Sequence, residues 1–256
     1  MHITLLGTGT STGVPMIGCR CPVCTSTDPR DRRLRTSALI ESAGGNVLID
    51  AGPDMRQQLL TAKVRSLHGV LLTHEHQDHI GGLDDLRPLN YRMQSAITLY
   101  GQQRTIDAVK SRYYYAFSEN SGGSSRPNLT LSPITAWQTL TIADLTIMPI
   151  PITHGALHIL GFRIGKFAYI TDASTITPDV CAALAGVEVL VINALRDEPH
   201  PMHLSFNQAT EYVDQIGPKR AFFVHLSHDI RHADLAPRLP THIQPGYDGL
   251  TFEVSE

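Results

Sequence analysis

The stretch THEHQDHIGG, Thr73 to Gly82, carries four potential metal donors, His74, His76, Asp78 and His79, in six consecutive positions. It begins within the apolar run GVLLTH, so the donors sit where a strand gives way to a glycine-bearing loop. In extended backbone alternate side chains share a face. This aims His74 and His76 at one ion, while the next turn aims Asp78 and His79 at a neighbouring position. A single loop histidine is ordinarily just solvated, but clustered imidazole and carboxylate donors are typical of a metal centre. Two ions fit the spacing better than one. They need further donors, and three later apolar strands end on them: LTIMPIPITH on His154, KFAYITDA on Asp172 and RAFFVHLS on His225. The expected set is His74, His76 and His154 for one ion and Asp78, His79 and His225 for the other, with Asp172 bridging both. Such a pair depresses the pKa of a bridging water and makes a hydroxide nucleophile at neutral pH, so hydrolysis is the expected reaction.

Outward from this centre the chain alternates strands and helices. ITLLGTG (3–9), TSALIES (36–42) and NVLIDAG (46–52) read as strands, the last two joined by the hairpin-length Ala43, Gly44 and Gly45. Pro53 opens a short helix over DMRQQLLTA, GLDDLRPLNYRM predicts a helix broken near Pro88, ITLYG (97–101) is a strand and residues 102–117 predict a helix. ENSGGSSRPN (119–128) reads as a mobile loop, either a lid or plain surface. The second half predicts strands over 145–154, ILGFRIG and KFAYITDA (159–173), VEVLVINAL, 220–227 and GLTFEV, with helices over 178–186, 206–217 and DIRHADLAPRL. Strands followed by helices in both halves predict the α/β class: two mixed β-sheets flanked by helices, an αββα sandwich forming a single domain over residues 1–256.

With 42% hydrophobic residues, 18% charged and a net charge of -3, the chain has no global cationic field to attract nucleic acid. No basic leader, signal-like run or bilayer-length apolar stretch is visible, so a cytoplasmic location without membrane contact is expected. In that reducing compartment GCRCPVCT, with Cys19, Cys21 and Cys24, reads as a metal site rather than a disulfide framework. Three thiolates need a fourth donor. His228, three residues past His225, is the better candidate, because Cys181 lies in a helix where a small buried thiol is the simpler reading. A closed Cys₃His site would be structural zinc. Arg30, Arg32, Arg33 and Arg35 in DPRDRRLRTS read as a solvated run balanced by Asp28 and Asp31, with a phosphate contact as the alternative. Tyr113, Tyr114 and Tyr115 either stack on a ribose or base, or pack.

His-x-His-x-Asp-His after a strand, with a later His, Asp and His at strand ends, resembles the metallo-β-lactamase superfamily over nearly the whole chain. GTGTSTGVP near the start is similar to the amino-terminal turn of the superfamily's phosphodiesterase branch. C-x-C-x-x-C together with the second His of HxxH, His228, is similar to the phosphoribosyl 1,2-cyclic phosphate phosphodiesterases (PhnP type) and to PqqB relatives. The resemblance implies a phosphodiesterase of phosphonate catabolism acting on ribose 1,2-cyclic phosphate 5-phosphate. It further implies that Asp78 and Asp172 belong to the catalytic metal set. His203 in HPMHLSFNQATEY would be the general acid that protonates the departing alkoxide, with His200 as its rival. The implied cofactors are two divalent ions, zinc or manganese, in the catalytic site and one structural zinc, which thiolates select. Other readings are RNA 3′-end processing, against which the charge argues, a thioesterase, and a PqqB-like carrier, for which the full donor set is superfluous. A homodimer is the expected state of a soluble enzyme of this kind.

Overall fold

Many of the strands are apolar on both faces. The computed structural model, which describes residues 1–118 and 125–255, explains this by covering both sheets on both sides. The first sheet comprises β1 (His2–Gly7), β2 (Ser37–Glu41), β3 (Asn46–Ile49), β4 (Gly69–Leu71), β5 (Ile97–Gly101) and β6 (Leu129–Pro133), with β14 (Thr251–Glu253) beside β1. The second runs from β7 (Leu140–Ile142) through β8 (Leu145–His154), β9 (Leu157–Ile164), β10 (Phe167–Ile170), β11 (Val189–Asn193) and β12 (Arg220–Val224) to β13 (Ile243–Pro245). Ile3, Leu5, Ile40 and Ile49 of one sheet meet Ile147, Phe162, Phe167 and Val191 of the other in the central layer.

Helices cover the outer faces. α1 (Met55–Thr61) and α4 (Gln103–Arg112) supply Met55, Leu59 and Val109 to the layer outside the first sheet. α6 (Pro178–Ala183) and α7 (Phe206–Ile216) supply Val180, Phe206, Ala209 and Val213 to the layer outside the second. Short segments α2 (Gln77–Ile80), α3 (Arg87–Met93), α5 (Tyr114–Phe117) and α8 (His232–Leu235) complete the set. The αββα sandwich expected from the sequence is therefore the fold. α7 shows why the sequence makes a helix there. Phe206, Ala209, Val213 and Ile216 repeat at helical spacing, Ser205 and Gln208 close a capping box, and Gly217, at φ 71°, ends the helix. Among the described residues no helix is long and apolar enough to cross a membrane.

β3 to β6 run parallel in one sheet and β10 to β13 in the other, which places strand carboxyl ends from both sheets at one rim. Several expectations need correction. Strands stop short of the expected ends: β3 ends at Ile49, β4 at Leu71, β10 at Ile170 and β12 at Val224, so most donors lie just beyond the ladder. The break expected near Pro88 lies before Arg87, because a proline in the first helical turn gives up no needed N–H. Residues 102–117 form two helices broken at Tyr113, whose hydroxyl donates to Ile80 O at 2.8 Å. DIRHADLAPRL gives only α8 and a 3₁₀ turn that contains Pro237. Strands β6, β7 and β13 carry too few residues of clear period to have been expected. Of the expected mobile loop, residues 119–124 lie outside the described residues, while Asn128 N donates to Asn90 Oδ1 at 3.0 Å. Arg33 is not part of a solvated run: it is 1% exposed and donates to Ser227 O at 2.5 Å and Ile230 O at 3.0 Å.

Candidate metal centre

Three turns beyond the strand ends lie in the left-handed region: Asp50 at φ 59°, Asp172 at φ 59° and His225 at φ 58°. For a residue with a Cβ this costs about 1–2 kcal/mol each. The residue after each turn is clamped, which holds the strain in place. Ala51 N donates to His79 O at 2.7 Å, Ala173 N to Asn193 Oδ1 at 2.7 Å, and Leu226 N to Thr8 O at 2.9 Å. Gly52 is required for a different reason: a Cβ there would meet Asp78 O at 2.0 Å.

These turns bring the seven expected donors together. His74, His76 and His154 form one cluster and Asp78, His79, Asp172 and His225 another. His74 Nε2 and His76 Nδ1 are 2.9 Å apart, and the His154 ring lies 5.4 Å from that of His74 and 5.3 Å from that of His76. Asp172 spans the second cluster, with Oδ1 3.2 Å from His225 Nε2 and Oδ2 3.3 Å from His79 Nε2. It also reaches the first, grouping with His154 and His203. His79 Nε2 and His225 Nε2 are buried, face carboxylates and make no hydrogen bond. Buried imidazole nitrogens turned on carboxylates fit a divalent cation, which the lone pairs of both kinds of group can bind.

An outer layer sets the tautomers. Asp50, fully buried, accepts from His79 Nδ1 at 2.7 Å and from Thr73 N and Oγ1, each at 2.8 Å, which leaves His79 Nε2 free for the cluster. His154 Nδ1 donates to Met202 O at 2.9 Å, with the same effect. Asp50 was not among the candidates drawn from the sequence. Its signal was available: an acidic residue at the end of the apolar run NVLIDAG, as with Asp172 in KFAYITDA.

Burial holds the His74 imidazole well below its usual range, with His79 adding to the effect. At His79 burial acts the same way, but Asp172, Asp50 and Asp78 outweigh it and push the ring well above that range. Burial likewise opposes the Asp172 and Asp78 carboxylates, yet the histidines facing them keep both below the usual carboxylate range.

His203 joins this cluster and His200 does not. The His203 ring stacks on His225 at 4.6 Å and tilts against His154 at 5.0 Å, and its Nδ1 lies 3.8 Å from Asp172 Oδ1. His200 stacks behind it at 5.3 Å, one ring further out. Burial, with His225 adding to it, presses His203 down to about 3.

The cysteine loop forms a second cluster. Cys19, Cys21 and Cys24 Sγ lie 3.4, 3.4 and 3.6 Å from His228 Nδ1. A tetrahedral zinc with ordinary Zn–S and Zn–N bonds spaces such donors by about 3.5 Å, so this donor set fits zinc. The Cys24 N–H holds the Cys21 thiol down at about 6, whereas burial pushes Cys24 up to about 11. Cys181 packs in the apolar layer under α6 and α7 and takes no part. Arg33 holds the segment that leads from one cluster to the other, since its contacts to Ser227 O and Ile230 O bracket His228 after His225. A cavity of about 420 Å³ between α1 and α3, lined by Leu59, Leu60, Val64 and Leu89, holds none of these donors.

Comparison with known proteins agrees with this geometry. A beta-lactamase superfamily domain matches residues 45–226, a span that contains all seven donors of the larger centre. The chain is 44% identical over its whole length to an octanoyltransferase of Porphyromonas gingivalis, and spans 52% of that protein, about half its length. It is 30% identical to coenzyme PQQ synthesis protein B of Methylobacterium radiotolerans, over 75% of this chain and 72% of that one. The crystal structure of a diphosphatase from the PhnP family superposes with a TM-score of 0.92 at 36% identity, covering 98% of this chain and 96% of that one.

Proposed function

The chain belongs to the beta-lactamase superfamily, and from that premise we propose that it is a metal-dependent phosphodiesterase. Its substrate would be a small cyclic phosphate of the ribose 1,2-cyclic phosphate 5-phosphate type, opened to a phosphomonoester. The observation that carries this reading is His203, an imidazole outside the expected ligand set yet packed against His154, His225 and Asp172. The PhnP-family diphosphatase, similar over nearly the full length, supports a phosphate-containing substrate.

His74, His76 and His154 would hold one ion and Asp78, His79 and His225 the other, with Asp172 between them. Bound there, two divalent ions supply Lewis acidity and a nucleophilic water at neutral pH. The chain's own groups do the rest. Asp50 and Met202 O keep protons on the outer nitrogens of His79 and His154. His203 delivers a proton to the oxygen that leaves phosphorus, which an alkoxide requires. Burial and His225 both press the His203 ring below its usual range, and the charge of an anionic substrate would oppose both effects. Cys19, Cys21, Cys24 and His228 would hold a structural zinc that anchors the segment after His225.

Leaving-group dependence tests the assignment. His203→Ala should lose about 10²- to 10⁴-fold on a cyclic alkyl phosphodiester but far less on bis(p-nitrophenyl) phosphate, whose leaving group needs no proton. An equal loss on both would refute the role of His203. The octanoyltransferase relative motivates a second reading, hydrolysis of an acyl thioester. Turnover of an octanoyl thioester in preference to cyclic phosphodiesters would favour it.

A further inference from the structure

The apolar cavity of about 420 Å³ between α1 and α3 takes no donor from either cluster. On α1 and just past it, Arg56, Leu59, Leu60 and Lys63 recur at i, i+3, i+4 and i+7, so one face sets two leucines between two cations. Leu59 is 8% exposed and packs into the layer outside the first sheet, whereas Leu60 is 57% exposed and lines the cavity. Val64 and Leu89 back onto the same layer, and Pro88 lines the α3 side. The cavity wall is thus a continuation of the core that reaches the surface.

The end of α1 holds a lysine in a conformation that suits glycine. Val64 N donates to Leu59 O at 3.0 Å and Lys63 N to Leu60 O at 3.2 Å, the paired bonds of a Schellman motif, and Lys63 takes the left-handed position at φ 56°. Glycine ordinarily stands there, because it adopts that backbone without a Cβ clash. The lysine instead brings an ammonium group to the cavity. Arg56 and Arg65 line it as well, against a single acid, Asp85. Among the described residues none of these three cations has a carboxylate partner, and the acids flanking the two segments, Asp54 and Asp84, pair with Arg35 and Arg87.

We propose that this cavity binds a soluble anionic amphiphile, an unbranched aliphatic carboxylate whose tail lies on Leu59, Leu60, Val64 and Leu89 and whose head is held by Lys63, Arg56 and Arg65. The volume falls in the range of small-molecule sites, about 300–1,000 Å³. Burial of methylenes on the apolar wall supplies affinity, and the carboxylate supplies the counterion that the chain leaves out. The ligand is a free amphiphile rather than a bilayer. Leu60 is the only large apolar side chain of the lining that is mostly exposed, whereas a membrane-binding face presents several. Nothing in this binding depends on the phosphodiesterase reading.

Titration calorimetry on the zinc-loaded protein tests the site, with hexanoate, octanoate and decanoate below their micelle concentrations and acetate in every solution to occupy any carboxylate position on the metals. Affinity should rise about three- to fourfold with each added methylene. Decyltrimethylammonium, with the same tail and the opposite charge, should bind at least about tenfold more weakly than decanoate. Lys63→Gly separates binding from folding: the melting temperature should hold or rise, because glycine suits the left-handed position, while decanoate binds about three- to tenfold more weakly. Leu60→Asp, at an exposed position, should weaken decanoate by about tenfold or more. In the ¹⁵N spectrum decanoate should shift the amides of residues 55–64 and 83–93. Equal affinities across tail lengths, equal binding of the two decyl ions, a Lys63→Gly protein that binds decanoate as wild type does, or shifts confined to the metal centre would overturn the site. Sedimentation with phosphatidylglycerol vesicles without binding of free decanoate would overturn it too, by assigning the cavity to a membrane surface.

Discussion

Asp50→Asn removes one charge and one acceptor from the layer behind the metal cluster, and the hydrogen bonds there fix the consequence. The native carboxylate accepts from Thr73 N on Oδ1 and from Thr73 Oγ1 and His79 Nδ1 on Oδ2, all at 2.8 Å or less. An amide has only one oxygen. If it stays with Thr73 N, the amide nitrogen meets His79 Nδ1, which must then accept, and the ring proton moves to Nε2. That is the atom facing Asp78 and Asp172. If the amide flips, its N–H₂ is set against the Thr73 N–H. A charge-assisted hydrogen bond is worth about 1.5–3 kcal/mol, and losing a partner of this kind behind a ligand weakens metal affinity about 10- to 100-fold. The fold should survive, because burial already disfavours the Asp50 charge and its removal returns that desolvation cost. Competition with a chromogenic chelator should therefore show one of the two catalytic ions weakened by that factor, the cysteine site unchanged and the melting temperature nearly unchanged. Affinities within about twofold of wild type for every ion would refute the role given to Asp50.

Two further predictions concern stability. Cys21→Ser should cost one zinc per chain, read by atomic emission. It should also loosen residues 225–232, with amide exchange there accelerated at least about tenfold, since His228 then has no closed site to join. Asp248 gives a pH dependence. Burial raises its folded-state pKa from 3.8 to about 7, against hydrogen bonds from Leu34 N and Thr8 Oγ1. Between those values the native state holds a proton that the unfolded chain releases. This contribution is therefore fully present below about pH 4 and is lost as pH rises through about 7, about 4 kcal/mol in all. Urea unfolding of Asp248→Asn, which cannot titrate, should differ from wild type by an amount that changes by about that much between pH 4 and 8; a constant difference would contradict it.

The residues of the larger cluster were legible in the sequence because strand ends concentrate them. His74, His76, Asp78 and His79 stand in one run, and His154, Asp172 and His225 each close an apolar segment. The cysteine loop was legible from spacing, and the structure sets His228 rather than Cys181 against it. Asp50 was overlooked because its partners, Thr73 and His79, are distant in sequence and only the parallel pairing of β3 with β4 makes them neighbours. Arg33 was misjudged for a similar reason: a run of arginines looks solvated until the segment around Ser227 folds over one of them. The left-handed turns at Asp50, Asp172 and His225 leave no trace in composition, since none is glycine.

Phosphorus NMR in ¹⁸O-enriched water tests the central claim most directly. The zinc- or manganese-loaded protein is incubated with ribose 1,2-cyclic phosphate 5-phosphate. Conversion of the cyclic signal to one monoester carrying ¹⁸O on phosphorus, lost on chelation and in His203→Ala, is the expected result. A protein that retains its metals and leaves the ring closed, or that opens it without the label on phosphorus, would contradict the account.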